Sequence, residues 1–231
     1  MGDFVHQPPA KTMIFKGLRH TGLLVLMALS IYSCNRGDCF DCFSEDEKKL
    51  IDGTDSIMRV LTIESPADET VLRAKSSDLS TDALLSDEYK RLAELMIATV
   101  THPSQDGVGI AGPQVGINRR VVAVQRFDKE PVAWAGKVDH PFEVYPNVRI
   151  VWASDSLSAG PEGCLSVPDR REEVLRSQEI IIEYVDLEAL RRSKPKTDTI
   201  PTIREKVCGF TAVIFQHELD HLDGVLYIDR L

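Results

Sequence analysis

Phe210–Leu222 reads FTAVIFQHELDHL. Its first half is apolar nearly all round and its second half turns polar, the pattern of a helix buried inside a molecule. Within it, His217-Glu218-Leu219-Asp220-His221 has the form H-E-x-x-H. On a helix, positions i and i+4 share a face, so both imidazoles reach one metal ion. Glu218 sits one residue round, beside those ligands and within reach of a water in the site. A hydrogen-bonded His pair without an ion explains the placement less well, because three ionisable groups on so apolar a helix are costly to bury unpartnered.

A catalytic ion needs a third protein ligand, and only ten residues follow His221. The longer pattern H-E-x-x-H-x-x-G-x-x-H fits as far as Gly224, but its last position is Tyr227. The third ligand is therefore expected upstream. His102 and His140 are open, as are the softer Cys164 and Cys208 (His6 and His20 fall in the N-terminal leader).

Apolar runs of strand length precede the helix. They are Arg120–Gln125, Phe142–Trp152 broken at Pro146-Asn147, Glu179–Asp186, and a fourth within Thr199–Val207. Asp87–Val100 repeats apolar residues at three- and four-residue spacing, with Ser86 as its N-cap, and predicts a second main helix. Ser80–Ser86 reads as a loop. Several strands and two main helices predict an α+β fold, with antiparallel sheets packed around a central H-E-x-x-H helix.

The chain has 231 residues, 43% of them apolar and 27% charged, room for one full domain but not for a multi-span membrane protein. Its net charge of −9 excludes the basic surface that grips nucleic acid. Five cysteines are too few for a disulfide scaffold.

Residues 1–33 read as a signal peptide. Lys11, Lys16 and Arg19 precede a short apolar run, Thr21–Tyr32, too short to span a bilayer. A start at Met13 gives a cleaner leader. Ser33-Cys34 then resembles a bacterial lipoprotein junction, with Cys34 lipidated and the protein held at the cell envelope; unused, the leader would leave it in the cytoplasm. Residues 34–56 read as a polar tether, in which Cys39 and Cys42 form an incidental disulfide, and residues 57–231 as the folded domain.

Three separated motifs occur in order within that domain. They are Gly107-Val108-Gly109-Ile110-Ala111-Gly112-Pro113-Gln114, then Glu162-Gly163-Cys164-Leu165-Ser166, then Gln216-His217-Glu218-Leu219-Asp220-His221. Together they resemble the peptide deformylases over about residues 57–231. The resemblance implies one divalent metal on Cys164, His217 and His221, Fe2+ in many relatives, with Zn2+ or Ni2+ able to replace it. It implies Glu218 as the proton carrier, and the Gln114 amide and Leu165 backbone N–H as oxyanion donors. The substrate would be an N-formylmethionyl peptide, cleaved to formate and a free amine by a monomer.

Val108, Phe210 and Val213 would hold the methionine side chain. Gly109 would pair with the peptide backbone, and Gly163 lets the backbone approach closely. Arg171, Arg176 and Asp220 match family positions as supporting charges, and Cys208 reads as a buried thiol. Gly112, Tyr145 and Thr211 depart from the family pattern, and a C-terminal helix common in relatives is missing from the sequence. Export conflicts with the cytosolic task of deformylating nascent chains. An exported amidase of the same fold with another substrate, or a lipid-anchored binding protein, are the alternatives.

Overall fold

A computed structural model describes residues 42–134, 137–193 and 200–231. Along the chain run α1 (Glu45–Asp52), α2 (Pro66–Leu72), α3 (Thr81–Leu84), α4 (Asp87–Val100), β1 (Gly109–Ala111), β2 (Val121–Gln125), β3 (Val132–Trp134), β4 (Lys137–Asp139), β5 (Phe142–Pro146), β6 (Arg149–Ala153), β7 (Leu157–Cys164), β8 (Val167–Ser177), β9 (Glu179–Val185), α5 (Leu187–Arg192), β10 (Thr202–Cys208) and α6 (Gly209–Leu222). Among the described residues the strands form two three-stranded sheets, β1-β2-β5 and β10-β9-β6, and two hairpins, β3-β4 and β7-β8. Every one of these pairings is antiparallel.

The unbroken apolar run of β2 has a physical reason: the strand is covered on both faces. Val121 and Ala123 pack into a core with α4, while Val122 and Val124 pack into a second core with α6. The second core also takes Ile180 and Ile182 from β9 and Val207 from β10. Asn147, at φ 50°, turns the chain between β5 and β6, as the Pro146-Asn147 break predicts. Gly209, at φ 62°, lets β10 enter α6 with no intervening loop, a backbone turn that favours glycine.

Three expectations need correction. Residues 34–56 are not a tether throughout. Ser44 caps α1 in a reciprocal capping box with Glu47, and Phe43 and Ile51 are buried in the core that α4 also lines. Glu47 also pairs with the buried guanidinium of Arg119 at 2.8 Å. Ser80–Ser86 is not wholly loop, because Ser80 caps the single turn α3. Cys208 is exposed rather than buried, since it ends β10 at the edge of its sheet. Cys42 is disulfide-bonded. The expected leader 1–33, Cys34 and Cys39 lie outside the described residues.

A chain begun at Ile57 should therefore be less stable than one begun at residue 42. Burial of Phe43 and Ile51 alone contributes about 3–6 kcal/mol. Denaturant unfolding of the two chains checks this, and equal midpoints would mean that α1 is only laid on the surface.

Candidate metal centre and cleft

α6 carries His217, Glu218 and His221 because its apolar face is pinned by Ala212, Ile214, Phe215 and Leu219 in the second core. The β7-β8 hairpin brings Cys164 to the same place at the end of β7. The donor atoms of Cys164, His217 and His221 all lie within 4.8 Å of one another. Cys164 Sγ is 3.2 Å from His221 Nε2. A thiolate and an imidazole on one tetrahedral ion lie about 3.5 Å apart, so this pair is already close to a metal-binding spacing, with the third donor within 4.8 Å. One soft sulfur with two imidazoles suits Zn2+ or Fe2+ and is poorly matched to Mg2+ or Ca2+. His102 and His140 are elsewhere: His102 Nδ1 meets Ser104 Oγ at 2.8 Å, and His140 Nδ1 meets the Lys129 carbonyl at 2.9 Å.

The ligands are oriented from behind. His217 Nδ1 donates to Glu162 Oε2 at 2.8 Å, which leaves Nε2 for an ion. Arg176 donates to both oxygens of Glu162, at 2.7 and 2.9 Å, and to Asp220 Oδ2 at 2.6 Å. Burial works to raise the Glu162 carboxyl, but the Arg176 fork and His217 outweigh it and hold its pKa at about 2. Burial pushes His221 well below the usual imidazole range, the neutral form an ion requires. The Tyr227 ring stacks on His217, with centroids 5.9 Å apart. The residue at which the longer zinc pattern places a third ligand is thus a packing partner of the first.

A cleft of about 730 Å³ opens over this centre. Val108, Gly109, Gln114, Gly163, Leu165, Phe210, Val213 and Glu218 all line it, together with Cys164 and His217. Gln114 Oε1 accepts from the Ala111 N–H at 2.8 Å, and its Nε2 donates to Ser166 Oγ at 3.3 Å and lies 3.6 Å from Cys164 Sγ. The amide is thereby fixed with its donor side toward the thiol. Burial pushes the Glu218 carboxyl up to about 7, and its Oε2 is buried with no hydrogen-bond partner. Gly109 is required by space: a Cβ there would come within 2.5 Å of Glu218 Oε1 and 2.8 Å of Ile214 Cγ2. Phe210 is a rim residue rather than core, 55% exposed and tilted against Phe127. Sequence reasoning missed Glu162 as the partner of His217 and Ile214 as a wall, because both depend on contacts between distant elements.

Residues 57–231 match the family described as polypeptide deformylase. The chain belongs to that family. It is 37% identical over 163 residues to "Peptide deformylase 2" of Gloeobacter violaceus, covering 71% of this chain and 75% of that protein. It is 32% identical over 176 residues to a peptide deformylase of Leptospira biflexa, covering 76% and 88%. Among solved structures it resembles the class I type b peptide deformylase of Acinetobacter baumannii with Met-Ala-Ser bound. The TM-score there is 0.61 at 29% identity, over 77% of this chain and all of that one. A Thermotoga maritima peptide deformylase gives a TM-score of 0.60 at 29% identity, over 77% and 99%. The fold is therefore the deformylase fold of antiparallel sheets with helices, and the chain is a metal-dependent deformylase with a Cys/His/His cluster.

Proposed function

We propose that this deformylase removes the formyl group of N-formylmethionyl peptides at the Cys164–His217–His221 centre. The clustering of these three donors, two of which line one cleft with Glu218 and Gln114, carries the reading. Cys164, His217 and His221 would hold the ion, Fe2+ by resemblance, with Zn2+ or Ni2+ also suited to the donors. When bound, the ion supplies Lewis acidity that makes hydroxide available near neutral pH and polarises the formyl carbonyl.

The chain's own residues do the rest. Glu218 accepts the proton of the attacking water and returns it to the leaving amine, work that a pKa near 7 favours. The Gln114 Nε2 donor and the Leu165 N–H meet the negative charge that develops on the formyl oxygen. Gly109 presents backbone to an extended peptide, as a short strand addition. Val108, Phe210 and Val213 enclose the methionine side chain. A structural relative that holds Met-Ala-Ser, a peptide beginning with Met, supports that substrate class.

Formate release from a formyl-Met peptide tests the reading. We expect turnover by the anaerobically purified protein loaded with Fe2+ or Ni2+. Cys164→Ala should lose both bound metal and turnover. Full activity in that variant would remove Cys164 from the centre.

We also place the enzyme outside the cytoplasm, anchored through lipidated Cys34 after removal of residues 1–33. The basic leader, the short apolar run and Ser33-Cys34 support this. Radioactive fatty acid should label the chain in a bacterial host, and Cys34→Ala should abolish the label. Equal labelling of the variant would refute the anchor.

A further inference from the structure

β7 carries a glycine where its neighbours carry function. Glu162 points inward and holds His217. Residues two apart on a strand face the same side, about 6.6 Å along it, and one helix turn rises about 5.4 Å. A side chain at position 160 would therefore lie on the face of β7 that carries Glu162, and the cavity it borders is also bordered by Val213, four residues before His217 on α6. Gly160 has no side chain, and a Cβ placed on it meets nothing within 4 Å. The space is real: a second cavity of about 570 Å³ lies there, bounded by Gly160, Val174, Cys208 and Gly209. It shares Pro161, Phe210 and Val213 with the cleft over the metal centre. Val174, paired across the hairpin from Gly160, is buried. Arg176 also borders this cavity, but Glu162 and Asp220 engage its guanidinium. Ser158, Ser177, Gln178 and Glu179 border it as well, so it is the wall of Val174, Phe210 and Val213 beside Gly160 that suits a large apolar occupant.

We propose that the cleft continues past Gly160 into this second cavity, which takes first side chains larger than methionine's, and that Gly160 sets this preference. The inference rests on the deformylase reading of the site. A bulky aromatic side chain passing Val213 would fill the space that a residue larger than glycine would occupy.

The test compares formyl-Met and formyl-Phe tripeptides on the metal-loaded full chain. The wild-type enzyme should use the two with kcat/KM within about tenfold of each other. Gly160→Leu should lower the Phe-to-Met ratio of kcat/KM by about tenfold or more, the scale on which a filled apolar pocket discriminates. Gly160→Val should move it the same way by less. An unchanged ratio in both variants overturns the proposal. A second readout needs no variant and no turnover. Cys208 is an exposed free thiol in this cavity. Its alkylation, read site by site by mass spectrometry, should slow several-fold under saturating formyl-Phe peptide and not under formyl-Met peptide. Unslowed labelling of Cys208 also overturns the proposal. Absence of formate from either peptide would defeat the activity reading instead, and Cys208 protection would still decide whether the cavity is occupied.

Discussion

Glu218→Gln should lower kcat on a formyl-Met peptide by about 10²–10⁴-fold, the usual contribution of a positioned proton carrier, while one equivalent of divalent metal stays bound. The substitution keeps the size and shape of the side chain. It keeps an oxygen toward Gly109, where the room is too small for even one added carbon. What it removes is the ability to take a proton and give it back. Burial has raised the wild-type carboxyl to about 7, so near neutral pH both of its states are within reach. The metal should stay, because Cys164, His217 and His221 supply the donors and Glu162 orients His217 independently of Glu218. Turnover and metal content measured on one preparation decide the matter. A kcat within threefold of wild type would remove Glu218 from the proton transfer. Loss of the metal would recast it as a residue that holds the ligands in place.

Much of this site was legible because its residues lie in short contiguous runs. The i, i+4 spacing of His217 and His221 needs only helical geometry, and α6 supplies it. The helix Asp87–Val100 was legible from its period and its Ser86 cap, both of which the structure reproduces. The β7-β8 hairpin was not. Its inward face carries Gly160, Glu162 and Arg176 where a strand pattern leads one to expect valines, so the alternation that marks a half-buried strand is hidden by the buried charges that support the metal ligands. α1 was missed for a related reason. EDEKKLID has few apolar residues, yet Ser44 and Glu47 already spelled a capping box, and Ile51 is the one residue within the helix that it buries. The Glu162–His217 contact spans 55 residues of sequence, and no local pattern announces it.

Arg126→Met should destabilise the domain by about 3 kcal/mol without touching the metal centre. The Arg126 side chain is 1% exposed and sits among Asp128, Glu143 and Glu205. It donates to Asp128 at 2.7 and 2.8 Å and to Glu205 at 2.6 Å, bonds Tyr145 Oη, and lies 5.8 Å from the centroids of the Tyr145 and Phe215 rings. Methionine preserves most of the packing and removes the cation, so three carboxylates lose their common partner. Breaking a buried pair costs about 3–5 kcal/mol. The lower end applies here because the three carboxylates keep 26–35% of their exposure and can still be hydrated. For a domain of this size the loss corresponds to a fall in Tm of about 6–12 °C.

The pH dependence has a definite sign. Arg126 holds the Asp128 carboxyl below its usual range, and Lys129 with Tyr145 does so for Glu143 against the opposing effect of burial. A carboxylate depressed in the folded state contributes stability above its unfolded pKa of about 4 and loses it as pH falls toward the folded value. In the variant the cation is gone, and protonation relieves the crowding of like charges instead. The Tm gap between wild type and Arg126→Met should therefore be widest at pH 7 and narrow steadily toward pH 4. A gap that is small at pH 7, or that widens in acid, would show the cluster to be a hydrated surface network rather than a buried one.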